Sequence, residues 1–307
     1  MSCDDALSHA EPAPALAPLV TVTRTGSTNS DLVDALTRDP AAATRQWPHL
    51  SALRARSQAA GRGRCGRSWQ TPDEGALLLS VVLRPLVPAS CLPWLPLLAG
   101  LAVHDALARV LAAAGSAWSV RTKWPNDVLL VPAHGAALEP VAGWGRARKV
   151  CGILAEVAQT ARCAPEEVPT NREQAAAVVL GIGVNVSQEV PDLPVPWAGS
   201  LRLAGADLGP EDLLTPLGSA LAARVGQWEA DGGRPAAGLL HELRKACLTL
   251  GQEVQVDLPG GEALEGRAVD ITPALVVEQP DGGRRSVAAG DVYHTRSVTV
   301  SSPALFD

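Results

Sequence analysis

The chain has 307 residues, 47% of them apolar, with 26 Lys and Arg against 32 Asp and Glu for a formal net charge of -6. That length holds one large domain and a small one around a substantial core, and the acidic balance without a broad basic face argues against DNA as a partner. No run of about 20 apolar residues is free of charge or proline, the start lacks the basic and apolar segments of a signal peptide, and the six cysteines form no C-x-x-C pair, so a cytoplasmic protein with reduced thiols and no membrane span is expected.

Residues 1–18, acidic and rich in Ala and Pro, read as a disordered tail. An apolar strand follows over 19–24, then a helix carrying Leu32, Val33 and Leu36, with Thr28 or Asn29 as its cap. A continuous apolar run at 77–83, bounded by Gly75 and Pro85, reads as a buried strand. The pattern over 95–111 has no internal breaker and gives a long core helix.

Strands are expected at 118–123, 128–131, 150–157 and 176–186. Gly181 and Gly183 inside the last one indicate close backbone approach to something. The Ala, Gly and Pro-rich stretches 132–148 and 161–174 are expected to hang off the sheet as mobile loops. Amphipathic helices are expected at 213–228 and 236–248. Beyond Gly251 the texture changes to short strands separated by Pro259-Gly260-Gly261, Asp281-Gly282-Gly283 and Gly290, a small β-barrel-like module docked on the larger domain.

Residues 61–67 read Gly-Arg-Gly-Arg-Cys-Gly-Arg, against the acidic background of the chain. Glycine lets backbone amides approach a ligand, and guanidinium groups pair with carboxylate and phosphate oxygens in a planar fork, which suggests a mobile anion clamp. A solvated turn or a nucleic-acid-binding run is the alternative for the loop taken alone. Other clusters accompany it in order: Ser27-Thr28-Asn29 ahead of a helix, Gln58, Lys123-Trp124-Pro125-Asn126-Asp127, Lys149 leading into Gly152-Ile153-Leu154-Ala155-Glu156, and Gly181-Ile182-Gly183-Val184-Asn185.

In that order, from about residue 20 to 248, these motifs resemble the catalytic domain of biotin protein ligases, and the C-terminal module is similar to that family's SH3-like domain. The resemblance implies an α+β fold: a mixed-sheet catalytic domain of the biotin/lipoyl ligase type over 19–248 and a small SH3-like β-barrel over 249–301. It also implies the activity. Biotin and ATP give biotinyl-5′-AMP, and the biotinyl group passes to one lysine of a biotin carboxyl carrier protein domain of an acyl-CoA carboxylase. Magnesium accompanies ATP on its phosphates, with no dedicated protein cage and no other metal site.

By this resemblance Ser27, Thr28, Asn29 and Gln58 hold the ureido ring of biotin, which needs both donors and acceptors. Gly61, Arg62, Gly63 and Arg64 wrap the biotin chain and the phosphate, with Gly152 beside them. Arg62, Arg64, Arg67, Lys123 and Lys149 supply the positive charge that adenylation needs, Lys149 being nearest the reacting carboxyl group. Trp69 stacks near adenine or merely packs. Asn126 and Asn185 read the adenine edge, with a satisfied structural amide as the other reading of Asn185. Asp127 is the candidate base for the acceptor lysine, or else a turn anchor.

Many members carry an N-terminal helix-turn-helix, and the 26 residues ahead of Ser27 leave no room for one, so a monofunctional ligase is expected. Lipoate or octanoate ligases share the fold but are expected to lack both the Arg/Gly loop and Lys-Trp-Pro-Asn-Asp. A biotin-responsive regulator or noncatalytic interaction protein is disfavoured by the missing DNA-binding segment and the intact cations. Monomer and homodimer both remain open.

Overall fold

The computed structural model describes residues 15–70, 74–133 and 138–294. A seven-stranded mixed sheet forms the larger part: β1 (Leu19–Thr25), β2 (Ser51–Gln58), β3 (Ala76–Leu83), β4 (Ser119–Lys123), β5 (Asp127–Val131), β6 (Arg148–Gln159) and β7 (Ala177–Asn185), in the order β1-β2-β3-β7-β6-β5-β4. Only β1 and β2 run parallel; the other pairs are antiparallel. Helices α1 (Thr28–Arg38) and α2 (Pro40–Gln46) cover one face, and α3 (Leu95–Ala113), α4 (Leu214–Ala230) and α5 (Ala237–Ala246) lie on the other.

Two cores explain why β3 reads as unbroken apolar sequence. Strand side chains alternate, so Leu77, Leu79, Val81 and Leu83 enter the large core with Leu98, Leu101 and Leu107 of α3. Val82 points the other way, into a smaller core with Leu32 and Leu36 of α1, Leu53 and Val179. Ser80 shares that second face and is fully buried. Each of these aliphatic side chains contributes roughly 1.5–3 kcal/mol on burial. Residues Ala89–Ala113 have the length and mean hydropathy, 1.5, of a membrane-crossing helix. Here, however, α3 packs on β4, β6 and α4.

After α5 come β8 (Glu253–Asp257), β9 (Ala263–Ile271), β10 (Leu275–Glu278), β11 (Arg284–Val287) and β12 (Asp291–His294), an antiparallel SH3-like sheet in the order β11-β10-β9-β8-β12. Val254, Val256, Leu264, Leu275 and Val277 merge with the large core, so the module is not an independent bead. Trp124 Nε1 donates to Pro273 O at 3.0 Å and Lys123 Nζ to Val292 O at 2.7 Å, which fixes the module against the β4–β5 turn.

Several expectations need correction. Ser27, not Thr28 or Asn29, caps α1, accepting from the Ser30 N–H, which frees Thr28 and Asn29 to point inward. Residues 15–18 of the expected tail are ordered: Leu16 is buried against Gly218, and Ala17 N–H donates to Leu50 O at 3.2 Å. Residues 1–14 of that tail, and 295–301 of the expected module, lie outside the described residues.

The stretch 161–174 is tied down rather than free, because Arg172 pairs with Glu229 of α4 and donates to Arg84 O at 2.7 Å. Of the stretch 132–148, residues 134–137 lie outside the described residues; the rest of it is anchored through Arg148, 5% exposed, whose guanidinium donates to Glu139 O at 2.6 Å. Strands β2 and β12 and helix α2 had no sequence expectation. In β2 the arginines break the apolar pattern, and Arg54 is nevertheless buried because Glu211 pairs with it at 2.6 Å.

Candidate active site

An open cleft of about 1010 Å³, mouth included, lies over strands β3, β7, β6 and β5 of the sheet. Its floor follows from strand parity. Gly181 and Gly183 face the same side of β7 as Val179, and Gly183 pairs across the sheet with Gly152 of β6. Three side chains are therefore missing from one patch. A Cβ on Gly181 would lie 2.3 Å from Asn29 Oδ1, and one on Gly183 or Gly152 would lie 2.7 or 2.8 Å from the Trp69 ring. The close approach foreseen for these glycines is to Asn29 and Trp69.

One end of the cleft is polar and rigid. Gln58 Oε1 accepts from the Thr28 N–H at 2.8 Å and contacts Thr28 Oγ1 at 3.0 Å. Behind them Ser80 Oγ lies 2.7 Å from Thr28 Oγ1 and 2.6 Å from Asn29 Oδ1. Asn29 Nδ2 donates to Leu154 O at 3.3 Å and to Glu156 Oε2 at 2.9 Å, so its amide can point only one way. Ser27, Thr28 and Asn29 are all buried. Gln58 and Ser27 both line the cleft, and the Nε2 donors of Gln58 and the hydroxyl proton of Ser27 have no acceptor within the protein among the described residues.

The Arg/Gly loop crosses the middle of the cleft. It is closed by Gly63 N–H donating to Arg67 O at 2.7 Å and Trp69 N–H to Gly61 O at 2.8 Å. Cys65 takes the left-handed conformation at φ 54°. Arg62 pairs with Glu156 at 2.9 Å, Arg64 donates to Asn126 Oδ1 at 3.3 Å, and Arg67 pairs with Asp291 of the C-terminal module. Lys149 pairs with Asp127 at 2.6 Å, its Nζ 5.5 Å from the Trp69 ring centroid. The tight β4–β5 turn sets Lys123 opposite Asp127, and β5–β6 pairing sets Asp127 opposite Gly152. Each of these cations thus has a partner within the protein with which an anionic ligand would compete.

Lys123 is the most perturbed of them. It is 7% exposed, donates to Val292 O, and sits 4.2 Å from the Trp144 ring centroid. Burial lowers its pKa to about 8, against the opposing pull of Asp127. Asn126 Nδ2 donates to Ile153 O at 2.7 Å.

Two expected contacts stand outside the cleft lining. Asn185 donates to Gly199 O at 3.0 Å, as a satisfied structural amide does, and Gly61 lies behind, where a Cβ would meet Trp69 O at 2.4 Å. Trp144 and Asp291 line the cleft, and Ser80 and Glu156 bond to Thr28 and Asn29 behind it; none of the four was given a role from the sequence, although Glu156 closes one of the quoted motifs. Glu156 carried a signal, since strand periodicity from Gly152 puts it on the cleft face; Asp291, from another module, carried none. Among the described residues no group of three or more His, Cys, Asp or Glu could hold a metal ion.

Two family descriptions match the chain, the biotin/lipoate A/B protein ligase family over residues 28–164 and the biotin protein ligase C-terminal domain over 249–295. The chain is 36% identical over 277 residues to a biotin–[acetyl-CoA-carboxylase] ligase of Mycobacterium tuberculosis, covering 90% of this chain and 88% of that protein. The chain belongs to the biotin protein ligase family. A biotin–[acetyl-CoA-carboxylase] ligase of Paracoccus denitrificans is 32% identical over 286 residues, covering 88% of this chain and 98% of that one. The biotin protein ligase of Aquifex aeolicus, solved with biotin and ATP, shares the fold with a TM-score of 0.62 at 23% identity, covering 89% of this chain and 97% of that structure.

Proposed function

We propose that this biotin protein ligase activates biotin with ATP to biotinyl-5′-AMP and transfers the biotinyl group to one lysine of a biotin carboxyl carrier protein domain of an acyl-CoA carboxylase. One observation carries the reading. A rigid polar end formed by Ser27, Thr28, Asn29 and Gln58 opens directly onto Arg62, Arg64 and Lys149 in the same cleft. The first set suits a cyclic urea, with donors for its oxygen and acceptors for its N–H groups. The second neutralises two anions that must meet.

In the first step a biotin carboxylate oxygen bonds to the α-phosphorus while the α–β P–O bond breaks and pyrophosphate leaves. Lys149 and Arg64 exchange Asp127 and Asn126 for oxyanions, and Arg62 and Gly63 of the loop cover the acyl phosphate and exclude water. In the second step the acceptor lysine attacks the acyl carbon and AMP departs. Asp127, released by Lys149, accepts the amine proton. ATP would bring magnesium on its phosphates, where the ion would offset their charge; Asp127 and Asp291, the carboxylates among the residues lining the cleft, would be the ones to hold it.

The same reading gives residues 19–248 the catalytic role and residues 249–301 the supporting module, Asp291 and Val292 reaching the cleft. It places the reaction in the cytoplasm. The test is isotope exchange between pyrophosphate and ATP by the purified chain. Exchange should require biotin; none with biotin, or exchange driven equally by lipoate, would overturn the reading.

A further inference from the structure

The hydroxyl and amide groups at the polar end of the cleft carry protons that can be assigned one by one. The Glu156 carboxylate only accepts, so Asn29 turns its Nδ2 toward Glu156 Oε2 and Leu154 O and leaves Oδ1 facing Ser80. Ser80 Oγ, 2.6 Å away, is the one hydrogen-bond donor to that oxygen among the described residues, which commits the single Ser80 proton to Asn29. Ser80 Oγ must then accept, and the hydroxyl 2.7 Å from it is that of Thr28. Were the Thr28 proton given instead to Gln58 Oε1, at 3.0 Å, the two hydroxyl oxygens would meet at 2.7 Å with no proton between them.

We propose that Ser80, which lines no part of the cleft, is a specificity-determining positioning residue: it draws the Thr28 proton inward and leaves Thr28 Oγ1 with only lone pairs to offer a ligand. Gln58 is fixed in the complementary sense, because its Oε1 is held by the Thr28 N–H at 2.8 Å and its Nε2 donors stay free. The pair Thr28 and Gln58 therefore asks for a ligand that donates at one point and accepts at the next. On the biotin reading above, on which this inference rests, a ureido N–H meets Thr28 and the ureido oxygen meets Gln58.

Strand register builds this relay. Pairing of β3 with β7 sets Ser80 opposite Gly181, and a Cβ on Gly181 would lie 2.3 Å from Asn29 Oδ1, so the glycine makes the room in which the Asn29 amide reaches Ser80. On its other side Ser80 pairs with Leu53, and Val82 and Val179 share the same apolar core. A fully buried hydroxyl in that setting is costly unless its partners are kept. A hydroxyl at position 80 closes the chain from Asn29 to Thr28. Alanine there leaves Asn29 Oδ1 without a donor and frees the Thr28 proton to turn to Gln58 or to the ligand.

The test measures Kd by calorimetry for the full wild-type chain, Ser80→Ala, Ser80→Thr, Thr28→Val and the Thr28→Val, Ser80→Ala double variant. The probes are biotin and its two cyclic carbamate analogues, in which an oxygen replaces one or the other ureido N–H. Wild type should bind biotin at least about a hundredfold tighter than the carbamate whose ring oxygen meets Thr28. In Ser80→Ala, biotin should bind roughly five- to fiftyfold more weakly. Its discrimination against that carbamate should fall at least about tenfold, because a Thr28 hydroxyl free to turn can donate to the ring oxygen. The KM for ATP in pyrophosphate exchange should stay within about twofold. Ser80→Thr should keep the discrimination, and Ser80→Ala added to Thr28→Val should not lower it further. If Ser80→Thr does not fold, the alanine and double variants still decide. Unchanged discrimination in Ser80→Ala, or an equal loss of affinity for biotin and both carbamates, would overturn the proposal and reduce Ser80 to a support of the fold. If wild type binds no biotin, the functional reading itself fails and the proposal falls with it.

Discussion

Glu156→Gln is the sharpest perturbation of the biotin end because it changes one atom of a shared carboxylate. Oε2 of Glu156 accepts from Asn29 Nδ2 at 2.9 Å while Oε1 faces Arg62 Nη2, also at 2.9 Å. A glutamine amide must aim its NH2 at one of these donors. The hydrogen bond from Asn29 to a charged acceptor contributes roughly 1.5–3 kcal/mol, and the half-exposed ion pair with Arg62 contributes at most about 1 kcal/mol. With Ser80 still holding Oδ1 at 2.6 Å, the Asn29 amide is strained between two demands. A loss of about 2–3 kcal/mol corresponds to a rise in the biotin KM of roughly 30- to 150-fold. The assay is pyrophosphate exchange with biotin and ATP varied separately, alongside thermal unfolding, where Tm should fall by only a few degrees. A biotin KM within threefold of wild type, or an equal rise in the ATP KM, would refute the reasoning.

Gly183→Ala should displace the Trp69 ring, which a Cβ would approach to 2.7 Å, and slow adenylation at least tenfold; Trp69 fluorescence unchanged from wild type would contradict this. Lys149→Ala and Arg64→Ala should cut the adenylation rate a hundredfold or more while shifting stability little, since partly exposed cations contribute at most about 1 kcal/mol to folding; stopped-flow formation of biotinyl-5′-AMP checks it. With a pKa of about 8, Lys123 loses its charge as pH rises, so kcat/KM for ATP should fall above about pH 8 in wild type but show no such limb in Lys123→Met. His294 is buried and held neutral, its pKa lowered to about 4 by burial and the Lys123 charge from an unfolded value of 6.5. The unfolded chain therefore takes up the proton first. Stability from this group is full above pH 6.5 and lost as pH falls through about 4, a change of order 3 kcal/mol, and His294→Leu should flatten that limb in urea titrations.

Much of the catalytic fold was legible because its strands are either continuous apolar runs, as in β3, or punctuated by glycine, as in β7. The presence of α1 followed from Leu32, Val33 and Leu36, but not its cap, since Ser27, Thr28 and Asn29 are all competent and only packing chooses. Strand β2 was hidden by Arg54, whose burial depends on Glu211, 157 residues away in sequence. Arg62, Gly63, Arg64 and Arg67 of the Arg/Gly loop, with Lys123, Asn126, Asp127 and Lys149, were named from ordered motifs, and all of them line one cleft. Trp144 and Asp291 were not, because their place depends on how an insertion and a second module fold back on the site. Ser80 lies inside a run read as continuously apolar, and only strand parity puts it beneath Thr28 and Asn29.

The most direct measurement incubates the purified full-length chain with ATP, magnesium, a carrier domain with one acceptor lysine, and biotin and lipoate together at equal concentration, followed by mass analysis of the carrier. Attachment of a single biotinyl group at that lysine, abolished by Lys149→Ala, is the expected result. A carrier left unmodified, or one carrying lipoyl instead, would contradict the account.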